Sequence, residues 1–339
     1  MESASSNEKP IVGISIGDFN GVGPEVILKT LEDNRITKIC TPVIYGNLKI
    51  LLKYKKLLEM EEIHFNLIKS IDQAQHKKLN LITSWEEEYV VEPGKITIEA
   101  GKCAFLSLKQ AVADWKEGKI HSLVTAPINK ATMQQEGFYF PGHTEYLTES
   151  AGAQDSLMLL VSESLRVGVV TGHIPLRDVA MKLTREAIIS KLTILEKSLQ
   201  QDFGFQKPRI ALLGLNPHAG EDGLLGTEDK EIILPIIEEF RKKGSLVYGP
   251  YPADGFFGSE QYKKFDGILA MYHDQGLIPF KTLAMETGVN YTAGLPFIRT
   301  SPDHGTAYNV AGKNQASETS FREALFLAVD IVKNRKSLK

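Results

Sequence analysis

Apolar runs and helix-periodic segments alternate along most of this 339-residue chain. Short, nearly continuous apolar runs between turn residues are typical of buried strands, whereas apolar residues three or four positions apart are typical of helices. The pattern predicts strands at 11–16, 42–45, 123–125, 157–161, 166–171, 209–215 and 267–271. It predicts helices at 24–34, 48–60, 101–117 and 184–203, one that Thr227 caps, and one that opens with the capping box Ser320–Glu323. Strands that alternate with helices predict an α/β protein with a largely parallel sheet.

The composition narrows the class of protein. The chain exceeds the roughly 250–300 residues that one core usually serves, which predicts two lobes. A net charge of −3 without a basic block predicts no nucleic-acid partner. Cys40 and Cys103 form no Cys-x-x-Cys pair, which fits a reducing compartment. Residues 1–9 are polar, unlike a signal peptide, and no apolar run approaches the ~20 residues of a membrane span, so we expect a cytoplasmic protein without membrane contact.

Three histidines follow predicted strands at their carboxyl ends. His173, His218 and His273 each follow an apolar run and precede a Pro or Gly. One such histidine is most often a structural hydrogen-bonding residue. Three in the same setting favour a divalent metal site, because ligands gather at the carboxyl ends of parallel strands. Their separations of about 45 and about 55 residues are too long for a zinc-finger type of site, so a catalytic metal is the better interpretation. His64, His76 and His121 are assigned no role.

Two further motifs lie at junctions with predicted helices. The glycines of Gly17–Gly23 could admit a phosphate, but their spacing is not Gly-x-Gly-x-x-Gly, and a tight turn is equally compatible. His143 and Thr144 could donate to a phosphate or carboxylate. On that stretch alone, a capping Thr144 beside a surface His143 is slightly favoured.

Polar residues also follow His273 at intervals. Lys281, Asn290 and Arg299 could bind a phosphorylated substrate, although each alone would be a solvated surface group. The loop 301–307 places His304 among small residues, which suits either a flat ligand or a structural turn.

Together these motifs resemble the 4-hydroxythreonine-4-phosphate dehydrogenase family, which acts in pyridoxal 5′-phosphate biosynthesis. The resemblance covers nearly the whole chain, and its most specific pieces are Pro141-Gly-His-Thr-Glu145, His173-Ile-Pro-Leu-Arg-Asp178, Gly214-Leu-Asn-Pro-His-Ala-Gly220, Tyr272-His-Asp-Gln-Gly276 and Gly294-Leu-Pro-Phe-Ile-Arg-Thr300. The sequence departs from the usual family pattern at Phe19-Asn20, at Pro302 and at Tyr308-Asn309.

The resemblance implies an isocitrate/isopropylmalate dehydrogenase-like fold, with two α/β lobes around a central cleft and a homodimer that shares its active sites. We expect a first lobe at 1–135 with 276–339 and a second at 136–275. The implied residues are His173, His218 and His273 as metal ligands, His143, Thr144, Lys281, Asn290 and Arg299 as substrate contacts, Lys281 and Asp274 as catalytic groups, and His304, Gly305, Thr306 and Ala307 at the cofactor.

The implied reaction is metal-dependent oxidation of 4-phosphooxy-L-threonine by NAD, or by NADP. The metal (zinc, magnesium, cobalt or similar) would lower the pKa of the substrate hydroxyl, and the nicotinamide would accept the hydride. The product, 2-amino-3-oxo-4-(phosphooxy)butanoate, would lose CO2 to give 3-amino-2-oxopropyl phosphate. A paralogous dehydrogenase of 4-phospho-threonate or 4-phospho-erythronate is the nearest alternative, and a metal-dependent hydrolase is a more distant one.

Overall fold

The computed structural model describes residues 9–134, 138–140 and 142–338, so residues 1–8 of the expected polar amino terminus and Pro141 lie outside it. The strands are β1 (Ile11–Ser15), β2 (Thr41–Gly46), β3 (Phe65–Ile68), β4 (Leu79–Thr83), β5 (Ser122–Thr125), β6 (Leu157–Val161), β7 (Arg166–Thr171), β8 (Arg209–Leu213), β9 (Leu246–Tyr251), β10 (Gly267–Tyr272), β11 (Val289–Ala293) and β12 (Ile298–Pro302). Every strand that the apolar pattern predicted is present; β3, β4, β9, β11 and β12 were not predicted.

The α-helices are α1 (Gly23–Glu32), α2 (Ile36–Ile39), α3 (Leu48–Leu57), α4 (Ile98–Lys116), α5 (Lys130–Gln134), α6 (His143–Ser150), α7 (Val179–Lys182), α8 (Arg185–Gln201), α9 (Leu234–Lys242), α10 (Ala253–Gly258), α11 (His273–Ala284) and α12 (Thr319–Ser337). Short 3-10 turns lie at Ile71–Gln73, Leu176–Asp178, Pro217–Gly223 and Gln261–Lys264, and one π turn lies at Asp229–Ile233. Within the described ranges, no helix is both long enough and apolar enough to cross a bilayer.

The chain divides into two compact units. Unit 1 comprises Met1–Ala151 and Phe297–Lys333, and unit 2 comprises Gly152–Pro296 and Asn334–Lys339. This division differs from the expected boundaries, because residues 142–151 belong to unit 1, and residues 276–296 and 334–338 belong to unit 2. Helix α6, with His143, is therefore part of unit 1, and helix α11, with Lys281, is part of unit 2.

Unit 1 contains a parallel sheet with the strand order β3-β4-β2-β1-β5-β12. Both faces are covered, as the apolar strands require. Ile14 and Ser15 are neighbours on β1 and point to opposite faces of the sheet, and both are buried. Helix α4 packs against β1 and β2, and the hydroxyl of its Ser107 donates to the carbonyl of Tyr45 at 2.7 Å.

Unit 2 contains strands in the order β11-β6-β7-β10-β8-β9. The pairs β7–β10, β10–β8 and β8–β9 are parallel, whereas β6 runs antiparallel to both β11 and β7. The prediction of a largely parallel sheet is confirmed, with β6 as the exception. A core of buried residues joins β7, β10 and α11 and includes Val167, Ala270 and Phe280, one from each element.

Two predicted helix starts are wrong in detail. The hydroxyl of Thr227 donates to the carboxylate of Glu231 at 3.0 Å instead of accepting a backbone N–H, and the helix opens with the π turn Asp229–Ile233. Ser320 lies inside α12, which begins at Thr319, and its hydroxyl accepts from the backbone N–H of Asp303 at 3.1 Å. The Thr227 hydroxyl thus makes a local contact at the start of the helix, whereas the Ser320 hydroxyl makes a contact with a loop 17 residues away in sequence.

A buried carboxylate fixes the end of α12 within unit 2. Asp202 is 3% exposed and accepts from Tyr291 Oη at 2.6 Å and from Arg335 Nε at 2.6 Å. Arg335 Nη1 also donates to the carbonyl of Pro296 at 3.1 Å. Because a buried charge without its partner is costly, this network should contribute measurably to folding.

We expect Arg335→Leu to lower the free energy of unfolding by about 3 kcal/mol, since it leaves the buried Asp202 carboxylate without its cation. Lys333→Leu on the same helix is the matched control, because the Lys333–Asp330 ion pair is exposed and such pairs contribute at most about 1 kcal/mol. Denaturant unfolding monitored by circular dichroism gives both values. Equal effects of the two substitutions would contradict the role of Asp202.

Candidate functional site

The three strand-end histidines lie on adjacent parallel strands of unit 2. Strand β10 pairs in parallel with β7 on one side and with β8 on the other. His173 follows β7 by two residues, His273 follows β10 directly and His218 follows β8 by five residues. Parallel strands present their carboxyl ends at one edge of a sheet, so the fold brings the three segments to the same edge.

Side-chain hydrogen bonds join the ends of these strands. Thr171 Oγ1 on β7 donates to the carbonyl of Met271 on β10 at 2.8 Å. Gln275 accepts from the backbone N–H of Met271 at 2.7 Å and donates to the carbonyl of Gly214, after β8, at 2.5 Å. One polar side chain on each side of β10 thus fixes the edge that carries the histidines.

His173 and His273 are brought together. Their ring centroids are 5.3 Å apart, and both belong to unit 2. His273 Nδ1 lies 2.7 Å from Asp274 Oδ1. Because a carboxylate accepts, this contact places the ring proton on Nδ1 and leaves the lone pair on Nε2, as in many metal-ligating histidines.

His218 lies in a strained loop. His218, Ala219, Gly220, Glu221 and Asp222 all have positive φ, from 42° to 80°. Left-handed backbone costs a non-glycine residue about 1 kcal/mol or more, so the surrounding structure must hold this segment.

Asp229 supplies that support. Its carboxylate accepts from the backbone N–H of Leu215 at 2.8 Å and of Asn216 at 3.1 Å. A Cβ on Gly214 would come within 2.7 Å of Asp229 Oδ1, so glycine is needed for this approach. Asp229 lies on the π turn, and such turns are frequent at functional sites.

The structure brings two of the three predicted metal ligands, His173 and His273, close together. Within the described ranges, no three His, Cys, Asp or Glu side chains are grouped closely enough to hold a metal ion. The His173 and His273 rings are neighbours, while His218 does not complete a group of three with them. The residue types and the shared sheet edge fit a divalent ion, and the assignment of all three ligands stays a prediction.

A second group of polar residues surrounds Arg299 in unit 1. Arg299 lies on β12 and is 3% exposed; its Nε and Nη2 donate to Thr125 Oγ1 on β5 at 3.1 and 2.7 Å. Burial lowers the pKa of Arg299 to about 10, opposed by the nearby Glu145, so the guanidinium remains charged at neutral pH. A cation placed this way is suited to a carboxylate or phosphate ligand.

His143 is the first residue of α6, after Gly142 at the N-cap, and Thr144 is the second. The alternative of a capping Thr144 beside a surface His143 is therefore wrong. Arg299 Nη2 lies 3.3 Å from His143 Nδ1, and since a guanidinium only donates, Nδ1 accepts and the ring proton is on Nε2. That Nε2 atom is buried and has no hydrogen-bond partner in the structure. A buried donor without a partner is what a bound anion would satisfy.

The protonation of His143 follows from its surroundings. Burial, followed by the positive charges of Arg299 and Lys130, lowers the pKa of His143 well below its ordinary value. His143 is therefore neutral at physiological pH and offers an N–H donor without a positive charge.

The other predicted substrate residues lie in unit 2 and not on loops. Lys281 is in the last turn of α11 and Asn290 is on β11. Asn290 Oδ1 is a buried acceptor without a partner. The side chain of Asp274 is 69% exposed, so its contact with His273 is made at the surface.

The predicted cofactor loop belongs to unit 1. His304 Nδ1 lies 3.0 Å from the carbonyl of Gly305, which places the proton on Nδ1. His304 Nε2 is buried, carries a lone pair and has no partner in the structure. Gly305 is exposed, with no atom within 4 Å of where a Cβ would be, and Ala307 has a left-handed φ of 43°. The loop thus offers one hydrogen-bond acceptor beside an open backbone.

The remaining motifs have structural roles. Gly17 has a φ of 70° and a Cβ there would lie 2.4 Å from the carbonyl of Pro127, which fits the tight-turn interpretation. His121 Nδ1 accepts from the backbone N–H of Ile11, and His76 hydrogen-bonds to Thr41. Sequence reasoning missed Thr125, Asp229 and Gln275, because their partners lie on distant strands or in other loops.

Comparison with known proteins places the chain in a family. The family model described as "Pyridoxal phosphate biosynthetic protein PdxA" matches residues 38–328. The chain belongs to the PdxA family. It is 52% identical over 329 residues to the 4-hydroxythreonine-4-phosphate dehydrogenase of Bacteroides thetaiotaomicron, covering 97% of this chain and 90% of that protein. It is 40% identical to the D-threonate 4-phosphate dehydrogenase of Cupriavidus necator, covering 97% and 99%. The family predicted from the motifs is confirmed.

Solved structures confirm the fold. The crystal structure of 4-hydroxythreonine-4-phosphate dehydrogenase from Klebsiella pneumoniae matches with a TM-score of 0.83 and 35% identity, covering 97% of this chain and 99% of that one. Isocitrate dehydrogenase from Methylococcus capsulatus matches with a TM-score of 0.50 and 11% identity, covering 97% and 87%, which shows likeness of fold alone. The predicted isocitrate dehydrogenase type of α/β fold is confirmed. A family of dehydrogenases also implies a nicotinamide cofactor.

We expect acidification from pH 7.5 to 5.5 to destabilise the wild-type protein more than the His143→Gln variant. A histidine with a depressed folded-state pKa stabilises the fold fully above its unfolded pKa of about 6.5, and that contribution is lost as the pH falls below it, because only the unfolded chain binds the proton. The difference should be at most about 1.4 kcal/mol per pH unit. Denaturant unfolding at both pH values measures it, with the exposed His64→Gln as control. An equal acid-dependent loss in wild type and His143→Gln would contradict the burial of this imidazole.

Proposed function

We propose that this protein catalyses the oxidation of 4-phosphooxy-L-threonine by NAD, which gives 2-amino-3-oxo-4-(phosphooxy)butanoate, NADH and a proton. The β-keto acid then loses CO2 and forms 3-amino-2-oxopropyl phosphate, a step toward pyridoxal 5′-phosphate. The observation that carries the proposal is the 52% identity to an enzyme of this name across 97% of the chain. The polar groups without partners at the predicted ligand-binding residues support it.

Arg299 and His143 would bind an anionic group of the substrate. The guanidinium of Arg299 is already oriented by Thr125, so little side-chain freedom is lost on binding. His143 would donate through Nε2, its partnerless buried atom. The amino-terminal end of α6, where Thr144 lies, adds backbone N–H groups and a favourable helix dipole for an anion.

His173, His218 and His273 would hold the divalent metal ion. When bound, such an ion lowers the pKa of a coordinated hydroxyl and so favours hydride loss from the same carbon. Asp274 would keep His273 in the tautomer that leaves Nε2 available, through its contact with Nδ1. The Asp229 carboxylate would hold the loop that presents His218.

Lys281 and Asn290 would contact the rest of the substrate. The Lys281 ammonium would neutralise phosphate or carboxylate charge and, as a donor, could protonate the carbon chain after CO2 leaves. Asn290 Oδ1 is a buried acceptor, so it requires a donor on the ligand.

D-threonate 4-phosphate is the second candidate substrate. The 40% identity to the enzyme of Cupriavidus necator that is named for it favours this candidate. Asn290 Oδ1 would accept from the ammonium group of 4-phosphooxy-L-threonine or from the hydroxyl at the same position of the threonate, so it accommodates either molecule.

The loop 304–307 would bind the adenine end of NAD or NADP. His304 Nε2 offers a lone pair, which matches the exocyclic amino group of adenine. The exposed Gly305 allows a flat ring to approach the backbone.

We also propose a homodimer with shared active sites, located in the cytoplasm. Unit 2 exposes several large apolar side chains, which a second subunit would cover: Leu176, Met181, Leu224, Ile278, Leu283 and Met285. Cys40 and Cys103 are both buried free thiols, as a reducing compartment permits.

We expect the purified protein to produce NADH from 4-phosphooxy-L-threonine only when NAD and a divalent cation are both present. Absorbance at the NADH wavelength measures turnover, and D-threonate 4-phosphate is assayed beside it to decide between the two substrates. Chelation should abolish turnover, because the substrate hydroxyl would lose the positive charge of the metal ion that lowers its pKa. Added metal should restore turnover.

Full turnover after chelation, with metal analysis showing an empty protein, would contradict the metal role. Phosphate release without NADH would indicate a hydrolase. Full activity of a protein that sediments as a 37.6 kDa monomer would contradict the proposed homodimer.

A further inference from the structure

Two segments of unit 1 that are distant in sequence form one backbone contact. The N–H of Val22, in the turn after β1, donates to the carbonyl of Thr306 at 2.9 Å. A Cβ on Gly21 would lie 2.9 Å from that same carbonyl oxygen. The turn 17–23 therefore supports the loop 304–307 directly, and glycine at position 21 is needed for the approach.

A buried side-chain hydrogen bond links the same two segments. Tyr308 Oη donates to Asp18 Oδ2 at 2.7 Å, and Asp18 is completely buried. Asp18 Oδ1 accepts from the backbone N–H of Asn20 at 2.9 Å, so the carboxyl is held from both sides. Asn129 and Thr306 also interact with the Tyr308 hydroxyl. Burial, reinforced by Asp18, raises the pKa of Tyr308, which keeps the phenol proton in place as the donor.

A third segment completes the contact. The N–H of Gly94 donates to the carbonyl of Asn20 at 2.8 Å, and the N–H of Glu92 donates to Asn20 Oδ1 at 2.8 Å. A Cβ on Gly94 would lie 2.9 Å from the carbonyl of Tyr308. The backbone of Tyr308 is thus packed against residues 92–94 while its hydroxyl is bonded to Asp18.

We propose that Tyr308 is a positioning residue for nucleotide binding, which acts through Asp18 to hold the loop 304–307. The inference rests on the proposed function. Ala307 has a left-handed backbone that is unfavourable for alanine, so neighbouring contacts must maintain it. The residue that follows it is anchored by the Asp18 bond. Without that anchor, His304 Nε2 and the open backbone at Gly305 would be less well arranged for the nucleotide.

The structure places Phe19, Asn20 and Tyr308, noted above as departures from the usual family pattern, in one cluster. Phe19 is completely buried, and its carbonyl accepts from Tyr54 Oη at 2.8 Å. The residues that depart from the family pattern in the turn 17–23 and beside the loop 304–307 therefore lie close together.

We expect Tyr308→Phe to weaken NAD binding about fivefold to tenfold, the effect of losing one buried hydrogen bond to a carboxyl group. Isothermal titration calorimetry of the metal-loaded protein with NAD measures the dissociation constant without turnover. In the assay, the KM for NAD should rise by a similar factor, while kcat and the KM for the phosphorylated substrate stay unchanged.

Tyr45→Phe is the matched control. Tyr45 is a buried tyrosine of the same unit, and its hydroxyl donates to Asp114 Oδ2 at 2.7 Å, away from the loop. This variant should lose thermal stability much as Tyr308→Phe does, yet bind NAD like the wild type. Asp18→Asn gives a second variant, and its effect on NAD binding should be less than additive with Tyr308→Phe if both act through the same bond.

If the wild type binds NAD and Tyr308→Phe binds it with unchanged affinity, the inference about Tyr308 is overturned and the proposed function is not. An equal loss of affinity in Tyr45→Phe would also overturn it, because the effect would then reflect general destabilisation. A wild type that binds neither NAD nor NADP would instead overturn the proposed function.

Discussion

The parallel pairing of β7, β10 and β8 is the constraint on which the candidate metal site depends. Their register sends three carboxyl ends to one sheet edge, and the bonds of Thr171 and Gln275 fix that edge. His273 continues directly from β10 into α11, whereas His218 is carried by a left-handed loop that Asp229 holds. The strand pairing provides the common edge, and strained or hydrogen-bonded turns then set where each imidazole lies. This combination is typical of functional sites, in which local strain is sustained by surrounding structure.

The second constraint is that buried polar atoms need partners. His143 Nε2, Asn290 Oδ1 and His304 Nε2 lack them in the structure, and all three belong to residues that sequence motifs had marked for ligands. Their neighbours also define their chemistry, because Arg299 makes His143 a donor and the Gly305 carbonyl makes His304 an acceptor. In unit 1, the Arg299 cation and the neutral His143 donor are therefore suited to an anion. The His304 acceptor is suited to a hydrogen-bond donor such as the amino group of a nucleotide base.

Many of the strands and several of the candidate site residues were predictable from the sequence, for identifiable physical reasons. Strands that are apolar throughout, such as β7 and β10, were found because burial on both faces leaves a continuous apolar run. Strands β11 and β12 were missed because Asn290, Thr292, Arg299 and Thr300 interrupt that run, although all but Asn290 are buried. The partners of the site residues could not be predicted: Thr125 is 174 residues from Arg299, and Asp18 is 290 residues from Tyr308. Periodicity reports local structure, whereas these contacts depend on the register of the completed sheet.

The most direct test of the metal site is anomalous X-ray diffraction from crystals of the zinc-loaded protein. We expect one ion per chain, about 2.0–2.1 Å from a ring nitrogen of each of His173, His218 and His273, with Nε2 as the donor atom in His273. Zinc binding should require the His218 side chain to join His173 and His273, which the structure already brings together. An ion bound at another set of residues, or stoichiometric zinc retained by the His173→Ala/His273→Ala double variant, would contradict the assignment.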